Sequence, residues 1–345
     1  MQWSGGRSGS TIFLCCLYLC GIVAAVALLL LLPGPPQQEE EEQGSTACTL
    51  EGRPPTHTRS TVCPSAPPCA MTFVTSYFRV PSKHTPQQYA EWIGHLLQEE
   101  RIRQCLLVFT DSPELWLQRG VAPTTRRRGV VVVPTSLCEE GRALNRSRAF
   151  WWSQFYLDPE ARTHRSYQLY LVWNLKPHFL TEAVRLNCFA SDRFYWIDAG
   201  YMRTAPRPPP SSSSSVNISG VRPQMTFLQV NPFESEERRQ LSPPYHYTTV
   251  KNRIAGGLYG GSPPAVLAWA ALYARVFQEY VERGWFVGKD QNLMATLCVQ
   301  HPFACVLATP NTTADENRWF TLWECLIGER TCAYRHYDSS AYYYY

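Results

Sequence analysis

The sequence predicts an α/β domain in which a mostly parallel sheet is flanked by helices. Several short segments are uninterrupted runs of apolar, β-branched and aromatic residues, which is typical of strands buried on both faces. Helical patterns alternate with these runs, as expected when crossover helices connect parallel strands. The hydrophobic content of 45% is enough for one large core. The net charge of +4 is modest and no nucleic-acid motif occurs, which argues against polynucleotide binding.

The amino terminus has the composition of a membrane anchor. Residues 11–32 carry no charge, and a helix of that length, at about 1.5 Å per residue, spans a hydrocarbon core of about 30 Å. Arg7 precedes this segment and Glu39 to Glu42 follow it, which places residues 1–10 in the cytosol. We therefore predict a single-pass type II membrane protein; a cleaved signal peptide is the alternative.

The remainder divides into a linker, one large domain and a tail. Residues 33–70 are rich in Pro, Gln, Glu, Thr and Ser, so we expect a disordered stem. Residues 71–337 form the predicted domain, with a Pro- and Ser-rich insertion at 205–222, and residues 338–345 form a tail. Each of these segments lies beyond the predicted anchor, on its luminal side.

Cysteines and sequons support an oxidising, luminal environment. Ten of the 13 cysteines follow the anchor, an even number that permits disulfides. Cys325 and Cys332 are the first candidates for a local pair, and Cys298 with Cys305 is a second. A zinc site is less favoured because no CxxC pair exists. N-glycosylation sequons occur at Asn145, Asn217 and Asn311.

The first half of the domain begins with strands and one amphipathic helix. Strands are predicted at Thr72–Phe78, Cys105–Thr110 and Val130–Val133 from their β-branched and apolar composition. A helix is predicted at Pro86–Glu100, where the apolar residues recur on one face. Between Arg142 and Asn187 the pattern becomes helical and strongly aromatic, and we expect most of these aromatic rings to pack in the core.

The second half continues the alternation. Lys176-Pro177 is expected to open a helix at His178–Leu186, because Pro is tolerated in the first turn. Strands are predicted at Phe194–Ile197 and Met225–Val230, and a helix at Pro263–Arg283. The following segment leads into another helix, with Asp290 near its start.

Two carboxylates and four glycines are the candidate functional residues. Asp198 ends an apolar strand, where a carboxylate costs free energy unless a cation, a donor or a ligand compensates it. Asp290 suits either a helix cap or a catalytic group. The segment IAGGLYGG contains paired glycines, which indicate positive φ or the close approach of a ligand, with a structural bend as the alternative. These glycines are Gly256, Gly257, Gly260 and Gly261.

Five segments together resemble the HtrL/YibB family. They are TFVTSYF, RTHRSYQLYLVWNLKPHFL, FYWIDAGYMR, IAGGLYGG and FVGKDQNLM, in this order. That family is similar to nucleotide-sugar glycosyltransferases of the GT-A fold. The resemblance implies a GT-A-like domain that moves a sugar from a nucleotide-sugar donor to a glycan, protein or lipid acceptor. Together with the predicted anchor, the resemblance implies an enzyme whose domain lies in the lumen of the Golgi or endoplasmic reticulum.

The resemblance also implies roles for the candidate residues. The leaving nucleoside diphosphate needs a divalent cation or basic side chains. The residues implied in donor binding are Thr75, Ser76, Lys176, Asp198 and Arg203. Asp290 would be the general base, and the four glycines would shape the acceptor pocket.

Metal use is the weakest match to the GT-A pattern. Metal-dependent GT-A enzymes hold Mn²⁺ or Mg²⁺ with an Asp-x-Asp motif, and Asp198 supplies only the first carboxylate. A cation at Asp198 would need further ligands, for which His301 and His336 are candidates. Arg203 and Lys176 could neutralise phosphate instead.

Two other classes of protein remain compatible with the sequence. One is a membrane-anchored protein that binds a sugar or nucleotide with a degenerate glycosyltransferase fold and does not catalyse transfer. The other is a disulfide-stabilised structural protein of the cell surface, which would bind no nucleotide. Donor turnover separates the enzyme from the first class, and nucleotide binding separates it from the second.

Overall fold

A computed structural model of the chain describes residues 50, 52–53, 55–63, 66–117, 129–206, 224–234, 237, 252–311 and 318–336. The predicted anchor at residues 11–32 and most of the insertion lie outside these residues. Among the helices of the described residues, none combines the length and the apolar composition needed to cross a bilayer.

Within these residues, eight strands form one sheet. The strands are β1 (Thr72–Tyr77), β2 (Leu106–Thr110), β3 (Val130–Pro134), β4 (Phe194–Ile197), β5 (Met225–Gln229), β6 (Ile254–Gly261), β7 (Cys305–Pro310) and β8 (Cys332–His336). Their order in the sheet is β3-β2-β1-β4-β6-β5-β7-β8. Strands β3, β2, β1 and β4 are parallel, whereas β6 and β8 run antiparallel to their neighbours. The expectation of a mostly parallel sheet is therefore confirmed.

The helices connect these strands. They are α1 (Arg59–Val62), α2 (Pro86–Gln98), α3 (Glu100–Arg103), α4 (Glu114–Leu117), α5 (Leu137–Gly141), α6 (Arg148–Leu157), α7 (Ala161–His164), α8 (Tyr167–Leu186), α9 (Pro263–Glu282), α10 (Asp290–Gln300) and α11 (Leu322–Leu326). Short 3₁₀ turns lie at Arg142–Leu144, Pro302–Ala304 and Arg318–Phe320.

The core has one layer on each face of the sheet. On one face α6, α8 and α9 pack against side chains such as Val74 and Trp196. On the other face α2 and α11 pack against neighbours that include Phe73 and Tyr195. Consecutive residues of a strand point to opposite faces, and every residue of β1 and β4 is buried because both faces are covered. Helices thus flank both faces, as the sequence predicts.

One predicted helix boundary is wrong. We expected a helix to open at His178, but α8 already begins at Tyr167 and contains Pro177. The Ser166 side chain caps its amino terminus by accepting a hydrogen bond from the Gln168 N–H. The residues before Pro177 are largely buried, so tertiary packing outweighs the local cost of the proline.

The glycine-rich segment does not have the positive φ angles that its paired glycines led us to expect. Ile254–Gly261 is strand β6 in the centre of the sheet, and none of its glycines has a positive φ. Gly260 is required by close packing, because a Cβ atom there would lie 2.1 Å from the Phe194 carbonyl oxygen. The small side chains therefore allow β6 to approach its neighbours.

Disulfides connect the described elements as an oxidising compartment would permit. The two local pairs foreseen from the sequence, Cys325–Cys332 and Cys298–Cys305, are confirmed. Two further pairs, Cys63–Cys188 and Cys69–Cys105, attach the segment before β1 to the domain. The packed part of the chain therefore extends to the amino-terminal side of residue 71.

Candidate functional site

A cavity of about 490 Å³ opens where β1 and β4 end. Its walls come from the segment that follows β1, from the first half of α8, and from the turn after β4. Because β1 and β4 are parallel neighbours, their carboxyl ends lie at the same edge of the sheet. This edge is where ligands bind in open α/β sheets.

Asp198 lies at the floor of this cavity. Its backbone N–H donates to the Gly257 carbonyl oxygen over 2.8 Å, which fixes the residue at the end of β4. The Trp196 indole N–H donates to Asp198 Oδ1 over 2.7 Å. The Asp198 side chain is nevertheless 39% exposed, and it lines the cavity. A ligand in the cavity can therefore reach this carboxylate.

Lys176 joins four elements at this floor. Its Nζ atom, carried by α8, lies 3.1 Å from Asp198 Oδ1 and 2.8 Å from Asp290 Oδ2. It also donates to the Gly256 carbonyl oxygen over 2.9 Å. Burial alone would lower the pKa of Lys176, but the charges of Asp198 and Asp290 outweigh it and raise the pKa above its usual value. The ammonium group is therefore retained.

Asp290 is brought next to Asp198 but is buried. It is the first residue of α10, and its Oδ1 atom accepts from the Gln291 N–H over 2.9 Å. The residue is only 3% exposed, and it does not line the cavity. The structure thus unites Asp198, Lys176 and Asp290, while the general-base role of Asp290 stays a prediction.

Arg203 forms part of the cavity wall. Its guanidinium carbon lies 3.6 Å from the centroid of the Trp92 ring and 5.1 Å from that of Phe320. Burial lowers the pKa of Arg203 from its usual value. The pKa of His84 is lowered to about 4 by burial and by the positive charges of Arg203 and Lys83, so His84 is neutral at physiological pH. His84 Nε2, 3.4 Å from an Arg203 nitrogen, can then accept a hydrogen bond.

Two more cations accompany Arg203. Arg165 lines the cavity from the end of α7, where its φ of 69° is left-handed. Lys83 follows the lining residue Ser82, and its pKa is lowered by burial and by Arg203. Across the described ranges, none of these three cations has a carboxylate within 4.0 Å. The cavity wall therefore carries positive charge that an anionic ligand could compensate.

Two polar residues of β1, Thr75 and Ser76, differ in position. Ser76 is 6% exposed and lines the cavity, whereas Thr75 is fully buried and does not. Neither hydroxyl group has a hydrogen-bond partner among the residues that the structure describes. An unpartnered buried hydroxyl group costs free energy, so Ser76 is the better candidate for a ligand contact.

The four glycines separate into two pairs. A Cβ atom at Gly256 would lie 3.0 Å from Asp290 Oδ2, and one at Gly257 would lie 3.5 Å from Asp198 Oδ2. Gly260 and Gly261 lie at the other end of β6, against backbone atoms of neighbouring strands. None of the four lines the cavity, so their acceptor role stays a prediction.

The donor atoms around Asp198 do not fit a divalent cation held by the protein. One of its oxygens already lies 3.1 Å from the Lys176 ammonium nitrogen and accepts from the Trp196 indole N–H. His301 ends α10, about 16 Å along that helix from Asp290 at 1.5 Å per residue. His336 lies on β8, four strand spacings of about 4.8 Å from β4. The described residues contain no cluster of three His, Cys, Asp or Glu side chains with metal-ligand geometry.

Several lining residues were not foreseen from the sequence. His84 and Tyr89 come from the segment after β1 and from α2, and both rings contact the Trp92 ring of α2. Their place in the sequence could have predicted this location, because residues that follow a parallel strand lie at the carboxyl edge of the sheet. Arg165 lies within the segment RTHRSYQLYLVWNLKPHFL, but its place in the cavity wall depends on the left-handed turn between α7 and α8.

The fold and the site define an α/β protein with a cavity, walled by cations and aromatic rings, at the carboxyl edge of its sheet. A family model described as "Bacterial protein of unknown function (HtrL_YibB)" matches residues 147–326, which are 180 of the 345 residues. The chain belongs to the HtrL/YibB family. The matched range includes Lys176, Asp198, Arg203 and Asp290 but not β1. No curated protein matches the chain.

Proposed function

We propose that this protein is a glycosyltransferase that binds a nucleotide sugar in the cavity at the ends of β1 and β4. The observation that carries the proposal is the combination of three cations without carboxylate partners and one accessible carboxylate. Arg165, Arg203 and Lys83 supply the positive charge, and Asp198 supplies the carboxylate. The GT-A resemblance supports the same reaction.

The charge of the wall suits a nucleoside diphosphate. Arginine binds phosphate through paired N–H donors, and such charge-assisted hydrogen bonds are stronger than neutral ones. The cation–aromatic contact with Trp92 holds the Arg203 guanidinium in place before a ligand arrives. Preorganised cations of this kind stabilise the negative charge that develops on a leaving diphosphate.

The size and the polar groups of the cavity suit a donor of this class. Its volume of about 490 Å³ falls within the usual range for small-molecule sites, about 300–1,000 Å³. Trp173 and Tyr89 add aromatic surface to the wall, and Ser76 contributes a hydroxyl group without a partner. Asp198 is positioned to accept hydrogen bonds from sugar hydroxyl groups.

The reaction would exchange one bond at the sugar. The bond between the anomeric carbon and the diphosphate oxygen breaks, a bond to the acceptor hydroxyl oxygen forms, and the acceptor gives up its proton. For Asp290 to take that proton, as the resemblance implies, the Lys176 side chain has to move aside. In the conformation described here, Asp290 instead helps to hold Lys176.

We extend the proposal to a membrane-anchored protein with its domain in the lumen of the Golgi or endoplasmic reticulum. Four disulfides among the described residues suit an oxidising compartment. Two of the sequon asparagines, Asn145 and Asn311, are exposed and can accept a glycan. The acceptor is a glycan, protein or lipid that reaches the same edge of the sheet.

A second candidate is a protein that binds the nucleotide sugar without transferring the sugar. The burial of Asp290 favours it, because Asp198 alone among the carboxylates of the described residues lines the cavity. Release of nucleoside diphosphate from a donor by the purified chain would support the enzyme. Saturable binding without release would support the binding protein.

The test is calorimetric titration of the full chain, in detergent, with a panel of nucleotide sugars. The Arg203→Gln substitution should weaken binding by about tenfold or more, because a hydrogen bond to a charged group contributes about 1.5–3 kcal/mol. Arg162→Gln is the matched control, since Arg162 is exposed on α7 but does not line the cavity. It should leave binding unchanged. No binding, or equal binding by both variants, would overturn the proposal.

A further inference from the structure

We propose that Lys176 is a built-in counter-ion that takes the place of a divalent cation between Asp198 and Asp290. The site would then bind its anionic ligand through side-chain cations alone and hold neither Mn²⁺ nor Mg²⁺. The inference rests on the proposed function only for the identity of that ligand. The position of the Lys176 ammonium group between the two carboxylates follows from the interatomic distances alone.

Three oxygens surround the Lys176 ammonium group. A lysine ammonium has three N–H donors and no acceptor. Three oxygens lie 2.8–3.1 Å from Nζ: one each from Asp198, Asp290 and the Gly256 carbonyl group. The side chain is 3% exposed, so water cannot replace these partners. Lys176 lines the floor of the cavity, but the three oxygens around its ammonium group assign it a positioning role.

The three oxygens form the type of ligand set that a hard cation prefers. Carboxylate and backbone carbonyl oxygens bind Mg²⁺ and Ca²⁺ at about 2.0–2.6 Å. In this protein the same oxygens surround a nitrogen at hydrogen-bond distances instead. Two carboxylates that approach one point repel each other unless a cation lies between them, and Lys176 supplies that cation.

A divalent ion could enter only by displacing the ammonium group. Lys176 lies inside α8 with its partners drawn from β4, β6 and α10. Among the residues placed by the structure, no other carboxylate lies within 4.0 Å of Nζ. A displaced ammonium group would be buried without a partner, which is costly. The wild-type site should therefore exclude divalent ions.

Arg165, Arg203 and Lys83 then balance the ligand's charge. They lie on the wall of the cavity or next to it, whereas Lys176 lies at the floor. Within the described part of the chain Asp198 is the one carboxylate that lines the cavity, and this division of roles explains how such a site can bind a diphosphate. Lys176 holds the two carboxylates in place, and the three cations at the wall bind the anion.

The test is a Lys176→Ala substitution in the full chain, which should convert the floor into a metal site. With the ammonium removed, Asp198, Asp290 and the Gly256 carbonyl group can ligate Mn²⁺. We expect the variant to bind Mn²⁺ at least tenfold more tightly than the wild type, as measured by the loss of the free-Mn²⁺ electron paramagnetic resonance signal. Its melting temperature should rise with added Mn²⁺, and that of the wild type should not.

The control is the double variant Lys176→Ala/Asp290→Asn, which should lose the gained Mn²⁺ binding. A folded Lys176→Ala variant that gains no Mn²⁺ affinity would overturn the inference. If this variant does not fold with or without Mn²⁺, the wild type decides. Its affinity for uridine diphosphate should be the same in excess EDTA and in millimolar Mn²⁺, and a requirement for Mn²⁺ would overturn the inference.

Failure of the proposed function would look different. If the wild type bound no nucleoside diphosphate or nucleotide sugar under either condition, the proposed function would fall. The gain of Mn²⁺ binding in Lys176→Ala would still support the role of Lys176. If the wild type itself bound Mn²⁺ and Asp198→Asn abolished that binding, the inference would fall while a nucleotide-sugar function could stand.

Discussion

The two aspartates at the floor of the cavity should differ in what they contribute to stability. Asp290 is 3% exposed, and its carboxylate contacts a buried ammonium group. Removing one partner of a buried ion pair costs about 3–5 kcal/mol. We expect the lower end for Asp290→Asn, about 3 kcal/mol, because Lys176 keeps Asp198 and the Gly256 carbonyl group as partners.

The corresponding change at Asp198 should cost much less. Its side chain is 39% exposed, so water already screens the Asp198 carboxylate, and exposed ion pairs contribute about 0–1 kcal/mol. An asparagine also keeps an oxygen that can accept from the Trp196 indole. Asp198→Asn should nevertheless abolish transfer, because the accessible carboxylate is lost.

Thermal unfolding of the full chain, followed by circular dichroism, measures this difference. For a domain of this size, 1 kcal/mol corresponds to about 2–4 °C in melting temperature. Asp290→Asn should therefore lower the melting temperature by about 6–12 °C, and Asp198→Asn by no more than about 4 °C. A larger loss for Asp198→Asn than for Asp290→Asn, or full activity of Asp198→Asn, would refute the reasoning.

Two further predictions concern stability. Burial would raise the pKa of Glu140, but hydrogen bonds from His178 and His57 outweigh it and lower the pKa to about 2. The lowered pKa contributes about 3 kcal/mol to the free energy of unfolding above pH 4.5, and this contribution is lost as the pH falls towards 2. Glu140→Gln should flatten the dependence of the unfolding free energy on pH between 5 and 3, and an unchanged slope would contradict this. Gly260→Ala should destabilise the protein by more than about 3 kcal/mol in urea unfolding, since its Cβ would lie 2.1 Å from a backbone carbonyl oxygen of β4. Gly257→Ala is the control, because its nearest neighbour is a side-chain carbon at 3.2 Å; equal losses would contradict the packing argument.

The sheet could be predicted from the sequence because its parallel strands are continuous apolar runs. Neighbouring residues such as Phe73 and Val74 are buried on opposite faces of the sheet, and this leaves a strong local pattern. Strand β6 was not recognised, because paired glycines have low strand propensity. The glycines are needed because β4 approaches β6 closely. This contact joins segments about 60 residues apart, so composition cannot reveal it.

The candidate site was predictable only in part. Asp198 could be found because a carboxylate at the end of an apolar strand is a local signal. The position of Lys176 could not, since Lys176-Pro177 also fits the first turn of a helix, whereas burial extends α8 through it. The contact of Lys176 with Asp290 spans more than 100 residues of sequence, so only the folded chain brings these charges together.

A structure of the full chain with a bound nucleoside diphosphate tests the central claim most directly. We predict that the diphosphate lies in the cavity at the ends of β1 and β4, with its oxygens within hydrogen-bond distance of Arg203 and Arg165. Lys176 should keep its contacts with both aspartates. A nucleotide bound elsewhere on the protein, or a diphosphate in the cavity that contacts neither arginine, would contradict the account.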